Sequence, residues 1–168
     1  MTKAKPKSKS KLTAVGRSAK WAVIGAIKGT GDTAESIIEA TKDILAVTVD
    51  GVAQVATAAE KAVAQIITGA IDAAAEVGED VLITIKSAVQ GTVKGASAVG
   101  ADVAKVAVAA TEGAIKAAGD VGADASRAVE HAVTGAIKAA DEIGSDTGKA
   151  VRHILKTSIK GADKVIKK

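Results

Sequence analysis

Small apolar residues step along this chain by threes and fours, and the steps recur at a fixed period. From Gly69 to Lys156 the sequence falls into four copies of 22 residues, GAIDAAAEVGEDVLITIKSAVQ, GTVKGASAVGADVAKVAVAATE, GAIKAAGDVGADASRAVEHAVT and GAIKAADEIGSDTGKAVRHILK. Gly69, Gly91, Gly113 and Gly135 open the copies. Ile71, Val93, Ile115 and Ile137 share one column, and Val77, Val99, Val121 and Ile143 another. Late in the run, Val129, Val133, Ala136, Ala140 and Ile143 advance alternately by four and three, while Arg127, His131, Thr134, Lys138 and Glu142 track the opposite side. Apolar residues at that spacing mark amphipathic helices, and a repeat of this length marks a protein built from stacked units. With Leu155 and Ile159, these branched residues are the candidate apolar face.

Gly78, Gly100, Gly122 and Gly144 are each followed two residues later by Asp80, Asp102, Asp124 and Asp146. A glycine ends a helix in the left-handed conformation, and an aspartate caps the next one and complements its dipole. The pattern predicts helices over 81–99, 103–121, 125–143 and 147–166, each roughly 28 Å long at 1.5 Å per residue. Within them, Glu112 and Lys116 stand four apart in the favourable order. One continuous helix is the competing reading, because 22 is twice eleven and eleven residues make three turns. Interior glycine costs about 1 kcal/mol against alanine. Two glycines per copy therefore favour breaks at Gly-x-Asp and close helix packing at the GAI-type openings.

Upstream the same grammar is degenerate. Thr13 to Lys28 reads as a helix around Trp21, Ile24 and Ile27, broken by KGTGDTAES, where Thr30 or Asp32 supplies a cap. Ile37, Ile38, Ile44, Leu45 and Val49 continue to Gly51, and a stripe from Val52 through Val63 and Ile66 runs to Val77. The organisation expected is a disordered basic arm (1–12), degenerate helices (13–68), four repeats (69–156) and a basic helix end (157–168). The fold class is all-α, an elongated array or loose bundle of tandem helices.

Composition changes this picture in one respect. The apolar share is 48%, yet Phe, Tyr and Cys are absent and Trp21 is the sole aromatic. Large side chains supply most burial energy, about 1.5–3 kcal/mol each for Val, Leu or Ile, so the core is expected to be thin. Either backbones approach closely on Ala and Gly, or the apolar face meets an external partner. No apolar run reaches the length of about 20 residues that a spanning helix needs, and the basic start lacks a signal-peptide core. A cytoplasmic protein, peripheral at most, is expected.

Charge is segregated. Residues 1–20 carry +7, residues 147–168 carry +6 and the body between them carries −9. Lys3, Lys5, Lys7, Lys9 and Lys11 alternate with small residues around Pro6 in the arm. Lys149, Arg152, Lys156, Lys160, Lys164, Lys167 and Lys168 crowd the other end. Lys156, Lys160 and Lys164 lie opposite Leu155, Ile159, Ala162 and Ile166, a cationic amphipathic helix of the kind that lies on membrane surfaces or acidic partners. These twelve cations are the candidate contacts with an anionic surface.

Catalytic and metal chemistry find little footing. His131 and His153 share a repeat column, but two imidazoles need a third ligand, and duplication of a polar-face residue explains them better. GAIKGTGD, from Gly25 to Asp32, has the glycines of a phosphate loop without its Lys-Ser/Thr ending, and Asp32 would repel phosphate. Carboxylate pairs such as Glu79/Asp80 and Asp141/Glu142 suit helix ends. No catalytic residue, cofactor or small-molecule substrate is expected.

The GAIK-type openings at Gly69, Gly91, Gly113 and Gly135, with Lys94, Lys116 and Lys138, give residues 69–160 a family likeness. They resemble the 11/22-residue amphipathic repeats of exchangeable apolipoproteins and synucleins, and the composition is similar to that of phasins, the Ala-rich coat proteins of polyester granules. That resemblance implies reversible association with a membrane or storage-granule surface. Taken with the basic ends, it makes a non-enzymatic surface-binding protein the first expectation. The second is an oligomeric helical scaffold or adaptor docking on an acidic protein surface, with a homo-oligomer expected. The third, nucleic-acid binding through the lysine-rich tails, is disfavoured by the acidic body and the single aromatic.

Overall fold

The structure, a computed structural model, describes residues 12–29, 31–50 and 54–167. The arm lysines Lys3, Lys5, Lys7, Lys9 and Lys11, the possible cap Thr30, Gly51, Val52 and Lys168 lie outside the described residues. Among the described residues the chain is all-α, with no strand. Its helices are α1 (Ala14–Lys28), α2 (Thr33–Val49), α3 (Val55–Val77), α4 (Val81–Ala98), α5 (Val103–Asp120), α6 (Ala125–Ile143), α7 (Ser145–Ser158) and α8 (Ala162–Ile166).

The ends of α4, α5 and α6 follow from Gly-x-Asp. Gly78, Gly100 and Gly122 adopt φ of 77°, 73° and 80°, the left-handed region that costs glycine nothing. The next amide reaches back to an orphan carbonyl: Glu79 N–H donates to Ala74 O at 2.9 Å, Ala101 to Ala96 at 2.9 Å and Ala123 to Ala118 at 2.8 Å. Asp80, Asp102 and Asp124 then accept from the first-turn amides of Leu82 and Ile83, Lys105, and Arg127 at 2.9–3.1 Å. Asp32 caps α2 through the Glu35 amide at 3.1 Å, and Thr13 caps α1 through Gly16 at 3.2 Å.

Helices alternate between two layers, α1, α3, α5 and α7 in one and α2, α4, α6 and α8 in the other. Among the described residues each touches only helices one or two places away in the chain. Alternate helices run parallel within a layer: Thr13 meets Gln65 and Gly16 meets Gly69 between α1 and α3, while Lys86 meets Gly135 and Lys94 meets Glu142 between α4 and α6. The opening glycines make this spacing possible. A methyl at Gly69 would overlap the Gly16 carbonyl, and one at Gly91 would overlap Thr41 and the Ile38 carbonyl. At Gly135 it would stand 2.5 Å from the Lys86 carbonyl oxygen, while Gly113 is looser, 3.4 Å from Ala64 Cα. Backbones in contact replace the large side chains that the sequence lacks.

The core is a ribbon between the layers rather than a single centre. Ile37, Leu45, Ile66, Ile67, Ile71, Ile85 and Leu155 are its largest fully buried side chains, set among alanines. Buried Thr41, Thr84, Thr92 and Thr111 satisfy their hydroxyls on carbonyls of their own preceding turns, at 2.8–3.1 Å. The sequence boundaries at 68 and 156 fall inside α3 and α7. The repeat is counted from a mid-helix glycine, whereas the helix is counted from its cap.

The fourth copy departs from expectation. The helix predicted over 147–166 is two: α7 ends at Ser158, and Gly161 at φ 91° turns the chain into α8. Ile159 and Ala162 are buried at that turn, so packing against the stack outweighs continuation of the helix. Lys156, Lys160 and Lys164 consequently sit on α7, in the turn and on α8, and form no single helical stripe. The fourth cap differs too. Gly144 is extended (φ 169°, ψ 157°), α7 starts at once with Ser145, and Asp146 lies in the first turn without capping it. This one-residue turn presses α7 so closely on α6 that a side chain at Gly148 would collide with Asp141 and Arg152.

Candidate interaction surface

All of the apolar-face candidates pack into the array. Ile71, Val93, Val133, Leu155 and Ile159 are buried. Val77, Val99, Ile115, Val121, Val129, Ile137 and Ile143 are partly buried against the same core. The face that periodicity marks for an outside surface is occupied by neighbouring helices of the same chain.

The cations divide. Lys149, Lys156, Lys160, Lys164 and Lys167 are exposed at the α7/α8 end. Lys160 and Lys164 border an open groove of about 480 Å³ between α6 and α8, floored by Ser126, Val129, Gly161 and Val165. Arg152 is engaged within the fold. Its guanidinium donates two parallel bonds to Asp141, Nη1 to Oδ1 and Nη2 to Oδ2, both at 2.7 Å. The pair straps α7 to α6 across Gly148. Hydrogen bonding to Arg152 holds the Asp141 carboxyl below its ordinary value, against a smaller opposing effect of desolvation, and raises the guanidinium further.

A depressed folded-state value means that the strap stabilises the protein above the unfolded carboxyl pKa of about 3.9. That contribution is lost as pH falls through the lower folded value. Exposed pairs are worth about 0.2–1 kcal/mol. Asp141→Asn is therefore expected to lower Tm by about 1–3 °C at pH 7, a difference that shrinks as pH falls below the unfolded carboxyl value of about 3.9, as thermal melts across that range would show.

Several acidic groups of the body are structural. Asp32, Asp80, Asp102 and Asp124 serve as caps. Glu142 pairs with Lys94 at 2.8 Å, and Glu76 pairs with Lys20. In GAIKGTGD, Gly25 and Lys28 belong to α1, and Asp32 begins the next helix as its cap. His131 is half-buried on α6 and His153 is exposed on α7. Among the described residues no group of three or more His, Cys, Asp or Glu is placed to hold a metal, and no helix is long and apolar enough to cross a membrane.

Three exposed large apolar residues were not singled out as surface by the sequence pattern: Trp21 at 67% exposure, Val47 at 77% and Ile83 at 46%. Trp21 reads as part of the first apolar face, but Ile24 takes the buried position instead. The signal that finds Val47 is the period itself, which places it one repeat before Gly69. Comparison with models of known protein families, with curated proteins and with solved structures yields no match, so the surface is read from its own chemistry.

Proposed function

We propose that the protein is a non-enzymatic helical-repeat scaffold that docks through its basic end on an acidic protein surface. The observation that carries this reading is the fate of the apolar face: every candidate on it packs inside the array, so a pre-folded stack presents polar faces and the lysines of α7 and α8. A scaffold of this kind keeps its helicity without a ligand, whereas apolipoprotein-like repeats gain it on lipid. Circular dichroism in buffer is expected to show the full helix content and a cooperative melt, unchanged by vesicles of phosphatidylserine and phosphatidylcholine. Helicity that rises on adding those vesicles would overturn the scaffold reading.

A second reading is supported by the exposure of Lys149, Lys156, Lys160, Lys164 and Lys167 at one end. A folded array can adhere to an anionic membrane or granule by charge alone, without inserting. Such binding weakens steeply with salt, because the screening length shrinks from about 10 Å at 0.1 M to about 3 Å at 1 M. Its signature is co-sedimentation with the same vesicles at unchanged helicity, lost on Lys156→Glu, Lys160→Glu and Lys164→Glu together.

A further inference from the structure

Run backwards from Gly69, the 22-residue period lands on Val47 and then on Gly25. In α3, α4, α5 and α6 this column lies against the helix two places earlier, which is the contact that builds each layer. In α1 and α2 it faces outward. No atom lies within 4 Å of where a Gly25 side chain would begin, and Val47 is 77% exposed. Trp21, one turn before Gly25, is 67% exposed. An open groove of about 320 Å³, lined in part by Val15, Ile44 and Val47, runs between the two helices. The α1/α2 end thus exposes the contact column of the repeat, and among the described residues no helix stacks on it.

The charges around this column suit one kind of occupant. On α1, Arg17, Trp21, Gly25 and Lys28 follow one another by four, four and three, all exposed, and the helix holds no acid. On α2 and its C-cap, Glu39, Asp43, Val47 and Asp50 follow at the same steps, all exposed. A basic stripe and an acidic stripe therefore lie exposed on adjoining helices, the first carrying Trp21 and the second Val47. Such a surface is complementary to itself after a half-turn. Residues of the opposite end do not match it. Among the described residues the other exposed large apolar side chain is Ile83 on α4, and the lysines of α7 and α8 suit only the acidic half of the surface, since they would meet Arg17 and Lys28 as like charges.

We propose that the α1/α2 end is an isologous interface for a second copy of this chain, each α1 lying on its partner's α2 about a two-fold axis. A two-fold contact closes on itself and stops at two copies. Trp21 and Val47 of both protomers fill its centre, and Arg17 and Lys28 face Asp50 and Glu39, which are spaced alike. The dimer would carry its lysine-rich ends outward on both sides, giving the scaffold two docking points. The interface itself does not depend on what those ends bind.

Sedimentation equilibrium of the full chain, with emission from Trp21, tests this. A single transition that saturates at two copies is expected, with emission moving to shorter wavelength as concentration rises. Val47→Glu should raise the dissociation constant at least tenfold at unchanged helicity. Arg17→Glu with Lys28→Glu should abolish self-association, as should Glu39→Lys with Asp50→Lys, and mixing these two double variants should restore a 1:1 heterodimer. A fully helical monomer at every concentration, assembly beyond two copies, or a dimer indifferent to Val47→Glu would overturn the proposal. None of those outcomes touches the basic end, whereas helix content missing in buffer would fail the scaffold reading first.

Discussion

Replacing Gly69 by alanine is expected to destabilise the protein by about 2–3 kcal/mol, although alanine is the better helix former by about 1 kcal/mol. The added methyl has no room. It would overlap the carbonyl of Gly16 and stand 3.0 Å from the Lys20 amide nitrogen, both backbone atoms of α1. Backbone cannot rotate aside as a long side chain does, so α1 and α3 must separate. Every alanine and isoleucine contact along that seam then loosens with them. The comparison that isolates the effect is Gly119→Ala on α5, where no atom lies within 4 Å. There the propensity gain stands alone, and a rise of up to about 1 kcal/mol is expected. At about 2–4 °C per kcal/mol for a chain of this size, melts followed by circular dichroism should place the two variants on opposite sides of wild type. If both variants raise Tm, close backbone packing is not what holds the layers.

Truncating Ile85 to alanine is expected to cost about 3–5 kcal/mol, in the upper part of the range for such changes. Ile85 is fully buried in α4, the helix that touches α2, α3, α5 and α6. A cavity there borders both layers, and the surroundings collapse poorly. The adjoining helices are held at fixed spacing by glycine contacts, and their alanines have no rotamers with which to fill a gap. The core also holds few side chains of this size, so each carries a large share of the burial. Urea denaturation of the variant against wild type measures the loss. A cost under about 1 kcal/mol would mean that the interior adjusts as a loosely packed bundle does.

Much of the local structure was legible in the sequence because the determinants are local. Helix limits predicted at 81–99, 103–121 and 125–143 fall within a residue of α4, α5 and α6, since a left-handed glycine and a capping aspartate act over four or five residues. The GAI-type glycines were also readable as places of close approach. Their partners were not, because Gly69 finds Gly16 at a separation of 53 residues and Gly135 finds Lys86 at 49, neither of them a multiple of the period. The break at Gly161 escaped for a related reason. Helical spacing carries the apolar pattern across it, and only the burial of Ile159 and Ala162 against the stack decides for a turn. Of the surface, the lysine-rich end could be read from composition. Engagement of Arg152 by Asp141 could not, since the pair spans a turn tighter than those of the other copies. Trp21 was read with Ile24 and Ile27 on one apolar face, and its exposure follows from an end helix that, among the described residues, has neighbours on one side only.

Contacts confined to helices one and two places apart also leave the stack without an intrinsic length. A globule that gains a helix must repack a shared centre, but here a further hairpin of two helices meets only the two hairpins beside it. Two turns of the 22-residue period return the chain to the same layer, so duplication of a 44-residue segment reproduces every seam it needs. Growth or shortening by such steps would change the span between the two ends while leaving the chemistry of each end intact. In this sense the molecule resembles a ruler whose graduations are its glycines.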